Sequence, residues 1–183
     1  MKTERIILGI DPGTLIMGYG LIKCSGNTVQ MICMDVIRLN KLSDQPIKLK
    51  KIFDTIVSIV DEYHPDELAI EAPFFGKNPQ SMLKLGRAQG VAIAAALYRT
   101  IPVFEYSPRK IKQSVTGNGN ASKEQVAAML KKLLNLKTEP VSFDATDSIA
   151  VAMCHYFQRT ETLDTKSYNS WKGFLSENPE RQK

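Results

Sequence analysis

Four carboxylates stand where folding preference gives no reason for one. Asp11 closes the apolar run ILGID, and Glu71 closes ELAIE. Asp144 and Asp147 lie three apart in SFDATDSIAVAMCHY, at the head of an otherwise apolar stretch. A separation of three puts two residues on one helix face. Taking an unpaired carboxylate out of water is expensive. Singly, each acid has an ordinary explanation. Asp144 can serve a helix N-terminus, Asp11 can be a turn acid before Pro12-Gly13, and Glu71 can end an exposed strand. Gathered in one place, the four would repel one another unless cations held them. Oxygen-only ligation suits hard divalent ions, magnesium or manganese. A pair of such ions activates a water and stabilises the leaving oxygen of a phosphodiester.

The elements must do the gathering. Ile6–Ile10 reads as a buried strand ended by Asp-Pro-Gly. Tyr19–Cys24 and Met31–Leu39 read as the next two strands, with Gly26-Asn27 as the hairpin turn between them. Lys48–Tyr63 carries apolar residues at helical spacing and stops at His64-Pro65. Glu67–Glu71 is a short strand, Pro79–Thr100 an Ala-rich helix, and Pro102–Tyr106 another strand. Ser107–Val115 predicts a short helix, followed by the flexible loop TGNGNAS. Ser122 and Gln125 form a capping-box pattern for a helix over Lys123–Leu134. A last helix is expected from Phe143 to Phe157. Its stripe Ile149, Ala150 and Met153 would pack on the sheet and bring Asp144 and Asp147 beside Asp11 and Glu71. Three antiparallel strands followed by alternating helix and strand predict an α/β protein, a mixed sheet covered on both faces.

The 183 residues fit one domain with a real core. We expect that domain over 1–158 and a loose polar tail over 159–183. No apolar run is long enough to cross a membrane. The N-terminus MKTERIILGID has no signal-peptide core, so a cytoplasmic protein is expected. Cys24, Cys33 and Cys154 are scattered, form no CxxC pair and read as buried reduced thiols. With only His64 and His155 beside them, they are too few for a zinc site. The net charge of +5 fits a nucleic-acid partner without requiring one.

Basic and aromatic residues lie near the acids in sequence. Phe74 and Phe75 sit with Gly76, Lys77 and Asn78 in a loop that follows Glu71; two aromatics there can stack on bases or wedge between them. The alternative is that one of the two is a core residue. Arg109 and Lys112 share a face of their short helix, and Lys123 falls in the first turn of the next, where phosphates bind readily. A solvated charged face is the competing reading of all three. Gly86 and Gly90, four apart, permit close helix approach, either to the protein's own sheet or to another molecule.

The segments ILGIDPGTLIMGYGLI, AIEAPFFGKNPQSMLKLGRAQGVAIAAA, PVFEYSPRKIKQSVTGNGNASKEQVAAML and DATDSIAVAMCH, in this order over residues 6–157, resemble the RuvC family of Holliday-junction resolvases. The resemblance implies an RNase H-like fold. It maps the four catalytic, metal-holding acids onto Asp11, Glu71, Asp144 and Asp147; some relatives carry His in place of the last. It implies a magnesium- or manganese-dependent endonuclease with two ions per site. Such an enzyme is a homodimer that nicks two opposing strands of a four-way DNA junction during recombination and repair, working with the RuvA and RuvB branch-migration proteins. It also implies that the Leu85–Leu97 helix is the dimer interface, that Phe74 contacts the junction, and that Lys112 and Lys123 contact DNA. Pro73 departs from many relatives and would stiffen its loop.

Three other readings stay open on sequence. The G-I-D-x-G-T hairpin also suits sugar kinases and actin-like ATPases, although those need two such domains. A different RNase H-like nuclease, acting on RNA–DNA hybrid or structured RNA, would use the same acids. A junction-binding protein that does not cut would not need all four.

Overall fold

The computed structural model describes residues 4–73, 78–136 and 142–164. The elements are β1 (Glu4–Asp11), β2 (Ile16–Ser25), β3 (Thr28–Arg38), α1 (Gln45–Tyr63), β4 (Glu67–Glu71), α2 (Pro79–Tyr98), β5 (Val103–Tyr106), α3 (Pro108–Thr116), α4 (Lys123–Leu133) and α5 (Phe143–Asp164). The strands form a five-stranded sheet in the order β3-β2-β1-β4-β5. β1, β2 and β3 are antiparallel neighbours. β4 runs parallel to both β1 and β5.

Residue period decides which side chains face which layer. Leu8 and Ile10 of β1, with Leu68 and Ile70 of β4, are fully buried in a core shared with α1 and α2. The intervening residues face the other way, where Ile7 and Ala69 join a second core built with α3, α4 and α5. Each fully buried Ile or Leu contributes about 1.5–3 kcal/mol. Both faces of the sheet are therefore covered, as expected.

Glycines set how closely α5 approaches. A Cβ on Gly9 would lie 2.1 Å from the Ser148 carbonyl oxygen, and one on Gly18 would lie 2.0 Å from that of Asp144. The helix rests directly on the backbone of β1 and β2. A buried polar cluster fixes its far end. Glu67, only 4 % exposed, meets His155 Nε2 at 3.0 Å and pairs with Arg159 and Arg5. His155 Nδ1 meets the Tyr106 hydroxyl at 2.6 Å.

Several expected boundaries shift. β2 starts at Ile16 rather than Tyr19; Gly18 weakens the strand pattern there while serving the contact with α5. α1 starts at Gln45, with Pro46 in the first turn where a missing N–H costs nothing. α5 continues past Phe157 to Asp164, through polar residues that carry no apolar stripe. The Gly26 hairpin and the Ser122–Gln125 capping box form as expected. Cys24 and Cys154 are buried, but Cys33 is half-buried on β3. The expected tail over 159–183 lies outside the described residues from 165 onward.

Candidate active site

Asp11 is the last residue of β1, and Glu71 the last of β4. The parallel register pairs Ile10 with Ile70, so both acids leave the same end of adjacent strands and on the same face. α5 then supplies Asp144 and Asp147 from its first two turns. Ser142 already caps this helix: its Oγ accepts from the Ala145 N–H at 3.3 Å and its carbonyl from the Thr146 hydroxyl at 3.0 Å. Asp144 is thus released from the capping duty that would explain it as structural.

Carboxylate oxygens of Asp11, Asp144 and Asp147 all lie within 4.8 Å of one another. Glu71 stands outside this group of three but faces the same cavity. That cavity, of about 230 Å³, is lined by the acids Asp11, Glu71 and Asp147, the bases Lys112 and Lys123, and the apolar Ile111, Val126 and Ala150.

The crowding appears in the acidities. Burial, then repulsion from Glu71, Asp147 and Asp144, pushes Asp11 up to about 8, with Lys123 opposing. Glu71 rises to about 7, through burial first and then Asp147, with Lys123 and Lys112 opposing. Lys123 Nζ lies 2.5 Å from Asp147 Oδ2. Burial disfavours its ammonium, but the bond to Asp147 and the nearby Asp11 and Asp144 outweigh this and raise its pKa. The clustered acids thus already hold one cation of the chain itself, Lys123. Oxygen-only donors at this spacing suit a hard divalent ion.

The structure brings together all four predicted acids with Lys112 and Lys123. Arg109 is exposed on α3 and lies along Gly119, outside the residues that line the cavity. Phe74, Phe75 and Lys77 lie outside the described residues. Among the described residues, a Cβ on Gly86 or Gly90 would meet nothing within 4 Å. Packing on the protein's own sheet is therefore not their role. Sequence reasoning missed the ion pair of Lys123 with Asp147, and it missed that Ile111 and Val126 line the cavity, since both read as ordinary helix-face residues.

The family model for the crossover junction endodeoxyribonuclease RuvC matches residues 7–155, which contain all four acids. The chain belongs to the RuvC family. A crossover junction endodeoxyribonuclease RuvC of Cytophaga hutchinsonii is 60% identical over 180 residues, covering 98% of this chain and 89% of the relative. That of Bacteroides fragilis is 57% identical over 182 residues, covering 98% and 97%. Among solved structures, Thermus thermophilus RuvC in complex with a Holliday junction substrate superposes with a TM-score of 0.81 at 28% identity, over 86% of this chain and 96% of that one. The mixed sheet with helices on both faces is accordingly an RNase H-like fold of the RuvC type. Neither the kinase-like reading, nor a different RNase H-like nuclease, nor a junction-binding protein that does not cut is favoured. Among the described residues, no helix is long and apolar enough to cross a membrane.

Proposed function

We propose that the protein is a structure-specific endodeoxyribonuclease that resolves four-way DNA junctions by metal-dependent nicking of two opposing strands. The observation that carries this reading is the convergence of Asp11, Asp144 and Asp147 oxygens within 4.8 Å, beside a cavity that Asp11 and Asp147 line together with Lys112 and Lys123. Asp11, Glu71, Asp144 and Asp147 would hold magnesium or manganese, two ions per site. Bound there, the cations supply an activated water and neutralise charge on the departing oxygen. Lys112 and Lys123 draw the phosphate into the cavity and compensate its charge. Arg109, Lys77, Phe74 and Phe75 are proposed as further DNA contacts, the first two to phosphates and the two aromatics to bases.

A homodimer is supported by one face of α2. Leu83 is 64% exposed and Leu97 55%, with Gly86 and Gly90 open between them. An uncovered apolar stripe flanked by small residues suits a second helix. A two-fold dimer presents two acid clusters, as symmetric nicking needs. RuvA and RuvB are proposed as partners on the family assignment alone, as is a cytoplasmic location for a single nuclease domain over 1–158 with a polar tail.

The test offers the protein, with magnesium, a synthetic four-way junction, a linear duplex of the same sequence and an RNA–DNA hybrid. Nicking of the junction well above the other two is expected. Preferred cutting of the hybrid would overturn the reading in favour of a different RNase H-like activity.

A further inference from the structure

Glu71 has the least local support of the four acids. It lies outside the three-oxygen cluster of Asp11, Asp144 and Asp147. It ends β4, and the chain beyond it leaves the sheet after Ala72 donates its N–H to the Tyr106 carbonyl at 2.8 Å. On the β1 side the ladder stops at Ile10 paired with Ile70. Carrying that register forward brings Pro12, which has no N–H, level with residue 72. A backbone donor for the Glu71 carbonyl is therefore lacking on that side.

Gln89 supplies it. This residue of α2 is only 6% exposed, in a helix whose other buried residues are all alanines. Its Nε2 donates to the Glu71 carbonyl at 3.3 Å and to Glu105 Oε2 at 2.9 Å. Both partners are acceptors, so the orientation of the amide is decided by chemistry: only the NH2 end can satisfy the two. One side chain thus clamps the ends of β4 and β5 from the opposite face of the sheet.

We infer that Gln89 is a positioning residue for Glu71, setting the reach of its carboxylate toward the acid cluster. It makes the α2 helix, rather than α5, responsible for the fourth ligand of the metal site. The inference rests on the proposed role of Glu71 as a metal ligand.

The test measures Mn2+ binding by calorimetry on the full-length protein without DNA, for wild type, Gln89→Met, Glu105→Ala and Glu71→Gln. Magnesium dependence of junction cleavage, junction affinity without metal and thermal midpoint are recorded alongside. Gln89→Met keeps the side-chain length and removes both donors. It is expected to weaken Mn2+ binding about tenfold or more, the range typical of groups that orient ligands, and to raise the magnesium needed for half-maximal cleavage. Junction affinity should stay unchanged. Glu105 is exposed, so Glu105→Ala keeps the fold and releases one anchor of Gln89; a smaller shift in the same direction is expected. Unchanged Mn2+ binding in both variants, while Glu71→Gln weakens it, would overturn the role of Gln89 alone. Unchanged binding in Glu71→Gln would instead overturn the metal-site reading. If Gln89→Met does not fold, Glu105→Ala decides the matter by the same criterion.

Discussion

At the scale of single residues, the acid cluster carries an electrostatic cost that pH should reveal. Asp11 in the fold holds its proton up to about 8, against an ordinary value of 3.8. Glu71 holds its own up to about 7, against 4.5. Between the two limits the folded chain binds more protons than the unfolded one, so raising the pH favours unfolding. The metal-free protein should therefore lose thermal stability as pH rises from about 4 to 8, with Asp11→Asn flattening the slope. Melting in EDTA across that range checks this. A midpoint equally steep in Asp11→Asn would remove the buried, repelled carboxylate as its source. Magnesium affinity should rise over the same window, because the ligands must shed protons to bind it. Lys123 acts in the other direction: its ammonium partly neutralises Asp147 and lowers the cost of assembling the cluster.

At the scale of elements, the site exists because two parallel strands stop together and one helix lies close against them. The closeness depends on atoms that are missing. Gly18→Ala would place a Cβ 2.0 Å from the carbonyl oxygen of Asp144, a backbone atom that cannot swing aside. Overpacking of this kind costs about 1–3 kcal/mol, and here it displaces a proposed ligand. Gly18→Ala should lower the melting midpoint and cut cleavage sharply while junction binding persists. Gly86→Ala, with nothing near its Cβ, should leave the monomer fold intact. Equal melting curves for the two would contradict the described packing.

The same elements show what a sequence can and cannot reveal. The strands ending on Asp11 and Glu71 were legible because each is a short apolar run cut off by turn residues. The capping box at Ser122 was legible because its two partners are local. Asp144 and Asp147 were legible as a helix-face pair, and the apolar stripe behind them placed that pair near the sheet; how closely the helix seats there depends on its contacts with Gly9 and Gly18, which no local pattern encodes. Gly18 concealed the start of β2, since tertiary contact required there what strand propensity disfavours. Gln89 gave no signal at all. A glutamine inside an alanine-rich helix looks like a surface residue until the strand ends it holds are in view.

At the scale of the whole molecule, the acid cluster lies among α3, α4 and α5 on one face of the sheet, while α2 on the opposite face carries the uncovered stripe of Leu83, Gly86, Gly90 and Leu97. A dimer formed through that stripe would leave both cavities open to DNA. Leu97→Glu places a charge on an apolar contact and should shift the protein from dimer to monomer in sedimentation experiments. A variant that sediments like the wild type would show that this face is not the interface. In a monomeric variant, paired cuts on one junction should give way to single nicks.

The central claim is that Asp11, Glu71, Asp144 and Asp147 together cut a phosphodiester in junction DNA. Its most direct test is single-turnover cleavage of a labelled four-way junction in magnesium by the wild type and by Asp11→Asn, Glu71→Gln, Asp144→Asn and Asp147→Asn. Junction affinity is measured for each without turnover. All four variants should bind the junction as the wild type does and cut it at least ~100-fold more slowly, as loss of electrostatic stabilisation at a reacting centre implies. Any one of them cutting near the wild-type rate would contradict the assignment of that acid, and all four doing so would refute the account of the site.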